Sequence, residues 1–336
     1  MKKLLIAISF AVCVSLILSA CSLLNKQEET TATKPPVSES QTEKTTVTTQ
    51  DDSQGKTLPL ADGSQDDTTT QPKKEKYTKP SLPDTLETQT IKWDKSLEYA
   101  SFSKIHTDSP KLYRAKKSRK NIVICVNAGH GTKGGESVKT QCHPDGTPKV
   151  TGGSTSKGAL KASAVASGMT FKSGMSEAKA NLSLALIVKD MLLDKGYDVL
   201  MIREDSDVQL DNIARTVLAN NYSDAHISLH YDSTGSDKGL FYLGVPNVKS
   251  YRNMEPVKSH WREHEALGKA IVKGARNNSV KIYSDGNLPT DLTQTSYSTV
   301  PSIDVEVGDR ASDTDEETQT KIARGIVEGI EIYFSN

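Results

Sequence analysis

The stretch Ile122-Val123-Ile124-Cys125-Val126-Asn127-Ala128-Gly129-His130-Gly131 constrains the chain more than any other: a β-branched run stops at a small-residue turn that presents a histidine. β-Branched runs form buried strands, and buried strands of α/β proteins present reactive groups at their carboxyl ends. The flanking glycines let the backbone bend and leave space beside the imidazole. On this reading His130 is the first ligand of a catalytic zinc.

Downstream, helical and strand patterns alternate. Residues 177–195 carry Leu184, Ile187, Val188, Met191 and Leu192 at helical spacing, with Gly196 as the stop. A strand at 198–203 precedes a second helical pattern at 208–221, through Leu210, Ile213, Ala214, Val217 and Leu218, with Asp207 as its cap. Further strands are expected at 225–229, 239–243 and 300–307, and helices at 259–277 and 313–334. Asp313, Asp315, Glu316 and Glu317 lie at the positive end of the last helix. This alternation predicts an α/β fold, a mixed and largely parallel sheet with helices on both faces.

Before the domain the composition changes. Lys2 and Lys3 precede an apolar run from Leu4 to Leu18, an export signal over 1–20 that is too short to span a membrane. It ends in Leu18-Ser19-Ala20-Cys21, which resembles the bacterial lipobox, so Cys21 is the expected lipidation site and the location a membrane surface facing the cell wall. Residues 21–90 are rich in Thr, Ser, Lys and Pro and nearly free of aromatics, so they cannot bury enough apolar area to offset backbone entropy. They read as a disordered tether reaching on the order of 200 Å extended and averaging about 45 Å as a coil. An N-terminal extension, 91–120, carries Trp93, Leu97, Tyr99 and Phe102, which can dock on the domain. Its basic cluster Arg114, Lys116, Lys117, Arg119 and Lys120 reads as a solvated face or a lipid-headgroup contact. Lys+Arg and Asp+Glu balance at 42 each, which gives no reason to expect nucleic acid as a partner. Outside the leader and Cys21 two cysteines remain, Cys125 and Cys142, and they read as a buried thiol and an unpaired loop cysteine.

Three element ends each offer a zinc-type ligand: His130, Glu177 at the start of the first helix, and His230 after a later strand. Two imidazoles and a carboxylate leave a fourth position for water, the arrangement of hydrolytic zinc sites. Glu306, near the end of the strand at 300–307, supplies an acid/base group; Asp304 shares its face by period two and is the competing carboxylate.

The words around these residues resemble the zinc-dependent N-acetylmuramoyl-L-alanine amidases. Val126 to Gly131 matches their strand and Gly-His-Gly turn, and Glu177 with Asn181-Leu182 their second motif. Gly196-Tyr197-Asp198-Val199 with Arg203-Glu204-Asp205, Arg215 with Ala219-Asn220, and Ser228-Leu229-His230 follow in the family's order. Val305-Glu306-Val307-Gly308 and the helix containing Lys321-Ile322-Ala323 complete it, so the likeness covers 121–336. The resemblance implies Zn2+ held by His130, Glu177 and His230, with Glu306 as the catalytic carboxylate. It also implies hydrolysis of the bond between muramic acid and L-alanine in peptidoglycan. Glu306 is expected to take a proton from water and pass it to the departing nitrogen, and Arg215 to support the fold. A zinc carboxypeptidase on the same polymer, or a non-catalytic wall-binding lipoprotein, are the alternatives.

Two departures stand out. Asn127-Ala128 replaces the aspartate and proline that many members carry, and Asp309 replaces a bulky apolar residue. The Gly/Ser-rich segment 131–176 is longer than in compact members and is expected to rim the site. Other histidines are assigned away from the metal. His260-x-x-Glu263-His264 matches a short metal motif but reads as a packing helix, His226 as a core residue, and His143 as part of a solvent-exposed loop.

Overall fold

The computed structural model describes residues 86–335; the expected signal, Cys21 and most of the tether lie outside them. In chain order the elements are β1 (Thr88–Thr90), β2 (Lys111–Tyr113), β3 (Val123–Ala128), β4 (Lys139–Gln141), β5 (Lys161–Ser163) and α1 (Glu177–Asp194). Then come β6 (Asp198–Met201), α2 (Asn212–Tyr222), β7 (Ala225–Asp232), β8 (Leu240–Tyr242), α3 (Lys249–Asn253) and α4 (Val257–Asn277). The chain closes with β9 (Ile282–Asn287), α5 (Thr293–Tyr297), β10 (Ser302–Asp309) and α6 (Glu316–Phe334).

Eight strands form one mixed sheet in the order β1-β2-β6-β3-β7-β10-β8-β9. Its centre, β6-β3-β7-β10, is parallel, as the alternating pattern predicts. Period two divides β7 cleanly. Ala225, Ile227, Leu229 and Tyr231 join Ile303, Val305 and Val307 of β10 in the core under α1, α4 and α6. His226, Ser228 and His230, with Ser302, Asp304 and Glu306 opposite them in register, face the other way, toward the side covered by α2 and α5. The candidate residues therefore share one polar face at the middle of the sheet. Among the described residues no helix is long and apolar enough to cross a membrane.

Helix limits move where side chains find other work. The second helix starts at Asn212, capped by Asp211 rather than Asp207. Asp207 instead accepts from Lys133 N at 2.9 Å, and Val208 N donates to Gly131 O at 2.8 Å. The last helix likewise starts at Glu316 behind Asp315, whose carboxylate accepts from Thr318 N at 2.7 Å. β1 takes the last three residues assigned to the tether, so the ordered domain begins before 91.

The extension is part of the fold. β1 and β2 continue the sheet beyond β6 in antiparallel pairing. Leu97 and Ala100 pack with Ile213, Val217 and Tyr297, where Tyr99 and Phe102 also contact the Tyr297 ring. The basic cluster is not a uniformly solvated face: Arg119 Nη2 lies 2.6 Å and Arg114 Nη1 3.3 Å from Oδ2 of the fully buried Asp198. A buried carboxylate at the start of a central strand needs such cations. Lys116 pairs with Glu87, and Lys120 lies over the Tyr197 ring.

Asp211 ties extension to domain. Its buried carboxylate accepts from Ala214 N (2.7 Å), Lys104 N (2.6 Å), Ile105 N (2.9 Å) and Ser103 Oγ (3.1 Å). Replacing it with Ala strands several buried donors at about 1–3 kcal/mol each. Asp211→Ala is therefore expected to lower stability by at least about 3 kcal/mol, read as a fall in the urea midpoint.

Candidate metal centre

The turn after β3 is held from beneath by two buried arginines. Arg203 Nε donates to Ala128 O (3.0 Å) and its Nη2 to Gly129 O (2.9 Å) and Ala178 O (2.6 Å). Arg215 Nη1 donates to Ala128 O (3.3 Å) and Asn127 Oδ1 (3.0 Å), and its Nη2 to His130 O (2.7 Å) and Thr132 Oγ1 (2.9 Å). Three consecutive carbonyls are thus satisfied by guanidinium forks. They hold His130 at φ 62°, a backbone conformation that L residues rarely adopt. Burial pulls the Arg203 pKa down to about 10; burial and then the charge of Arg203 pull that of Arg215 down to about 9. Both remain cationic at neutral pH.

His130 Nδ1 donates to the carbonyl of Ala166 at 2.7 Å, which leaves the Nε2 lone pair facing inward. Nε2 lies 2.8 Å from Glu177 Oε1 and 3.0 Å from His230 Nδ1, and His230 Nδ1 lies 3.1 Å from the same Glu177 oxygen. Glu177 is the first residue of α1, placed there by the Ser176 cap. Its Oε1 also accepts from Tyr231 N (3.1 Å) and Asn181 Nδ2 (3.3 Å), and its Oε2 from Met169 N (2.9 Å). Glycines make the closeness affordable. A Cβ on Gly129 would lie 2.2 Å from the His230 ring, and one on Gly168 would lie 2.7 Å from His130 Cδ2 and 2.8 Å from Glu177 Oε2.

The donor set fits a divalent metal. One atom from each of His130, Glu177 and His230 lies within 4.8 Å of the others, and among the described residues this is the one such cluster. Burial opposes ionisation of Glu177, but the His130 and His230 imidazoles beside it hold its carboxyl far below the usual carboxylate range. Burial lowers the His230 pKa, yet the charges of Asp304, Glu177 and Glu306 together raise it to about 9. Metal binding to such a set requires neutral imidazoles and an ionised carboxylate, so it displaces protons from the ligands.

One strand over, Glu306 is paired in register with His230. Its Oε2 is buried without a hydrogen-bond partner. Burial and then Asp304 push its carboxyl well above the ordinary value. A raised carboxyl facing the cluster has the character of a proton carrier.

The family model for N-acetylmuramoyl-L-alanine amidases matches residues 124–332, more than half of the chain. The chain belongs to this family. It is an amidase of peptidoglycan. Its fold is similar to that of the amidase Ami1 from Mycobacterium smegmatis, with TM-score 0.53 and 17% identity over 64% of this chain and 97% of that one. It is also similar to the apo form of Ami1 from Mycobacterium abscessus, with TM-score 0.51 and 20% identity over 64% and 99% of the two chains. No curated protein matches it in sequence.

The two departures from the amidase pattern both have structural work. Asn127 accepts from Arg215 and its Nδ2 donates to Ser228 Oγ at 2.8 Å, so it joins β3, β7 and α2. Asp309 is buried and closes the loop after β7: Oδ2 accepts from Ser236 N (2.9 Å), Lys238 N (3.3 Å) and Thr234 Oγ1 (3.2 Å), and Oδ1 from Ala311 N (2.8 Å). Within 131–176, β4 and β5 form a hairpin, and Ala166, Gly168 and Met169 return the chain to His130 and Glu177.

His143 is not exposed: it is buried, with Nε2 3.0 Å from both Asp291 oxygens and Nδ1 2.9 Å from Thr147 Oγ1. That contact and the Lys149 ammonium on Asp291 dock the segment on the loop before α5. Cys142 is buried too, and neither cysteine is bridged. His226 is a core residue whose pKa burial drops to about 3. His264 accepts from Ser302 N at 3.0 Å while His260 pairs with Glu263, so the short motif makes no metal cluster. Among groups that sequence reasoning missed, Arg203 had a motif signal, whereas Gly168 and the Ala166 carbonyl had none.

Because a 1 Å displacement at a reacting centre costs about 10²-fold, Gly129→Ala should lower amidase turnover at least about 100-fold by pushing the His230 ring. Far-UV circular dichroism should stay unchanged.

Proposed function

We propose that this amidase is zinc-dependent and lipid-anchored, and that it hydrolyses the bond between N-acetylmuramic acid and L-alanine. The observation that carries the reading is the convergence of His130, Glu177 and His230 donors within 4.8 Å beside the half-buried Glu306. His130, Glu177 and His230 are the zinc ligands and Glu306 the catalytic carboxylate. Bound there, zinc acidifies water toward a pKa of about 7 and polarises the scissile carbonyl.

The remaining steps belong to the chain. The Glu306 carboxylate accepts a proton from the attacking water and returns it to the departing alanine nitrogen, which leaves as an amine. Arg203 and Arg215 keep the His130 turn rigid, and the Ala166 carbonyl keeps the proton of His130 on Nδ1. Segment 131–176 rims the site. The anchor rests on Lys2 to Cys21, which places the enzyme on the membrane surface with its domain reaching the wall.

Digestion of purified peptidoglycan followed by mass spectrometry tests the bond. Stem peptides with a free L-alanine amine are expected, lost on adding chelator and restored by zinc. Loss of single terminal residues would assign a carboxypeptidase instead, and no product at all would return the chain to a binding role. Glu306→Gln should lower turnover about 10²–10⁴-fold while zinc content stays at wild-type level; equal activity would remove Glu306 from the chemistry. In cells, Cys21→Ser should move the protein out of the membrane fraction, and unchanged fractionation would exclude the lipid anchor.

A further inference from the structure

The three proposed ligands are not equally supported from behind. His130 has the Ala166 carbonyl on its outer nitrogen at 2.7 Å, and Glu177 accepts from Tyr231 N and Met169 N. His230 presents Nδ1 to the cluster, and its outer nitrogen, Nε2, faces a side chain: Asp304 Oδ2 at 3.7 Å.

Asp304 has no obvious reason to be a carboxylate except this one. It sits on the polar face of β10 between Ser302 and Glu306, 9% exposed, and its Oδ1 is buried with no hydrogen-bond partner. Burying a carboxylate in a central strand is expensive unless a cation or an N–H donor faces it. The register puts Asp304 opposite Ser228, one side-chain step from His230 along the same face. When a histidine binds a metal through one ring nitrogen, the other keeps its proton and needs an acceptor, which fixes the ring and strengthens the ligand. A closure of about 1 Å would bring Nε2 and Oδ2 to the ~2.8 Å of a charge-assisted bond.

We propose that Asp304 is a positioning residue: it accepts the His230 Nε2 proton and aims Nδ1 at the zinc. It acts through His230 and is distinct from Glu306, the carboxylate proposed to move the proton. The inference rests on the zinc reading given above.

Zinc affinity of the full-length chain, measured by competition with a chelating dye, tests it without recourse to turnover. Asp304→Asn and Asp304→Leu should each weaken zinc binding about 10–100-fold, with Leu the weaker. The melting temperature of the metal-free protein should hold or fall slightly, because the carboxylate facing the His230 ring has been removed. Zinc affinity within threefold of wild type in both variants overturns the proposal, and a lower metal-free melting temperature with that result assigns Asp304 to the fold alone. If the wild-type chain takes up no zinc, the metal reading falls and this inference with it; if the wild type binds and the variants bind equally, only the role of Asp304 falls.

Discussion

Everything at the site depends on two buried guanidinium groups gripping three consecutive carbonyls. Arg203 and Arg215 reach from different elements to Ala128, Gly129 and His130, and their charges repel each other. That repulsion is tolerable because the forks are saturated with oxygen acceptors. A strand end alone would leave carbonyls bare and the turn free to relax from its positive φ. The grip converts a loop into a rigid platform, and a histidine on a rigid platform can serve as a metal ligand without an ordering cost at each binding event.

The sheet contributes alternation, and the helices contribute enclosure. Odd residues of β7 and β10 enter an apolar core, so their even residues form a polar row on the opposite face. β3, β7 and β10 are neighbours, which places His130, His230 and Glu306 side by side although about a hundred residues separate the first two in sequence. Ser176 sets the start of α1 and so aims Glu177 inward. The extension completes the opposite layer: Leu97 and Ala100 cover α2, whose Arg215 holds the turn.

The central parallel strands and the long helices were legible because burial on both faces and helical spacing leave periodic traces. The motifs supplied order. What escaped notice lacks such a trace. β1, β2, β4 and β5 are three residues each, too short for a period to show. His143 looked exposed because nothing local reveals a partner at Asp291, nearly 150 residues away. Arg114 and Arg119 looked solvated for the same reason, since their partner Asp198 is apparent only once β6 is laid beside β2. Asn127 and Asp309 looked like defects because a family pattern records what is usual at a position and not what else can satisfy it.

The segment between His130 and Glu177 is fastened at one end and in its middle. One end supplies Ala166, Gly168 and Met169 to the ligands, and the middle is moored by His143 and Lys149 on Asp291. Lengthening a loop between fixed points costs only about 0.6 kcal/mol per doubling. The stretch from 152 to 157 can therefore change in length and composition without disturbing the acceptor that orients His130. A rim of this kind can change which wall polymer it admits while the chemistry beneath it stays as it is.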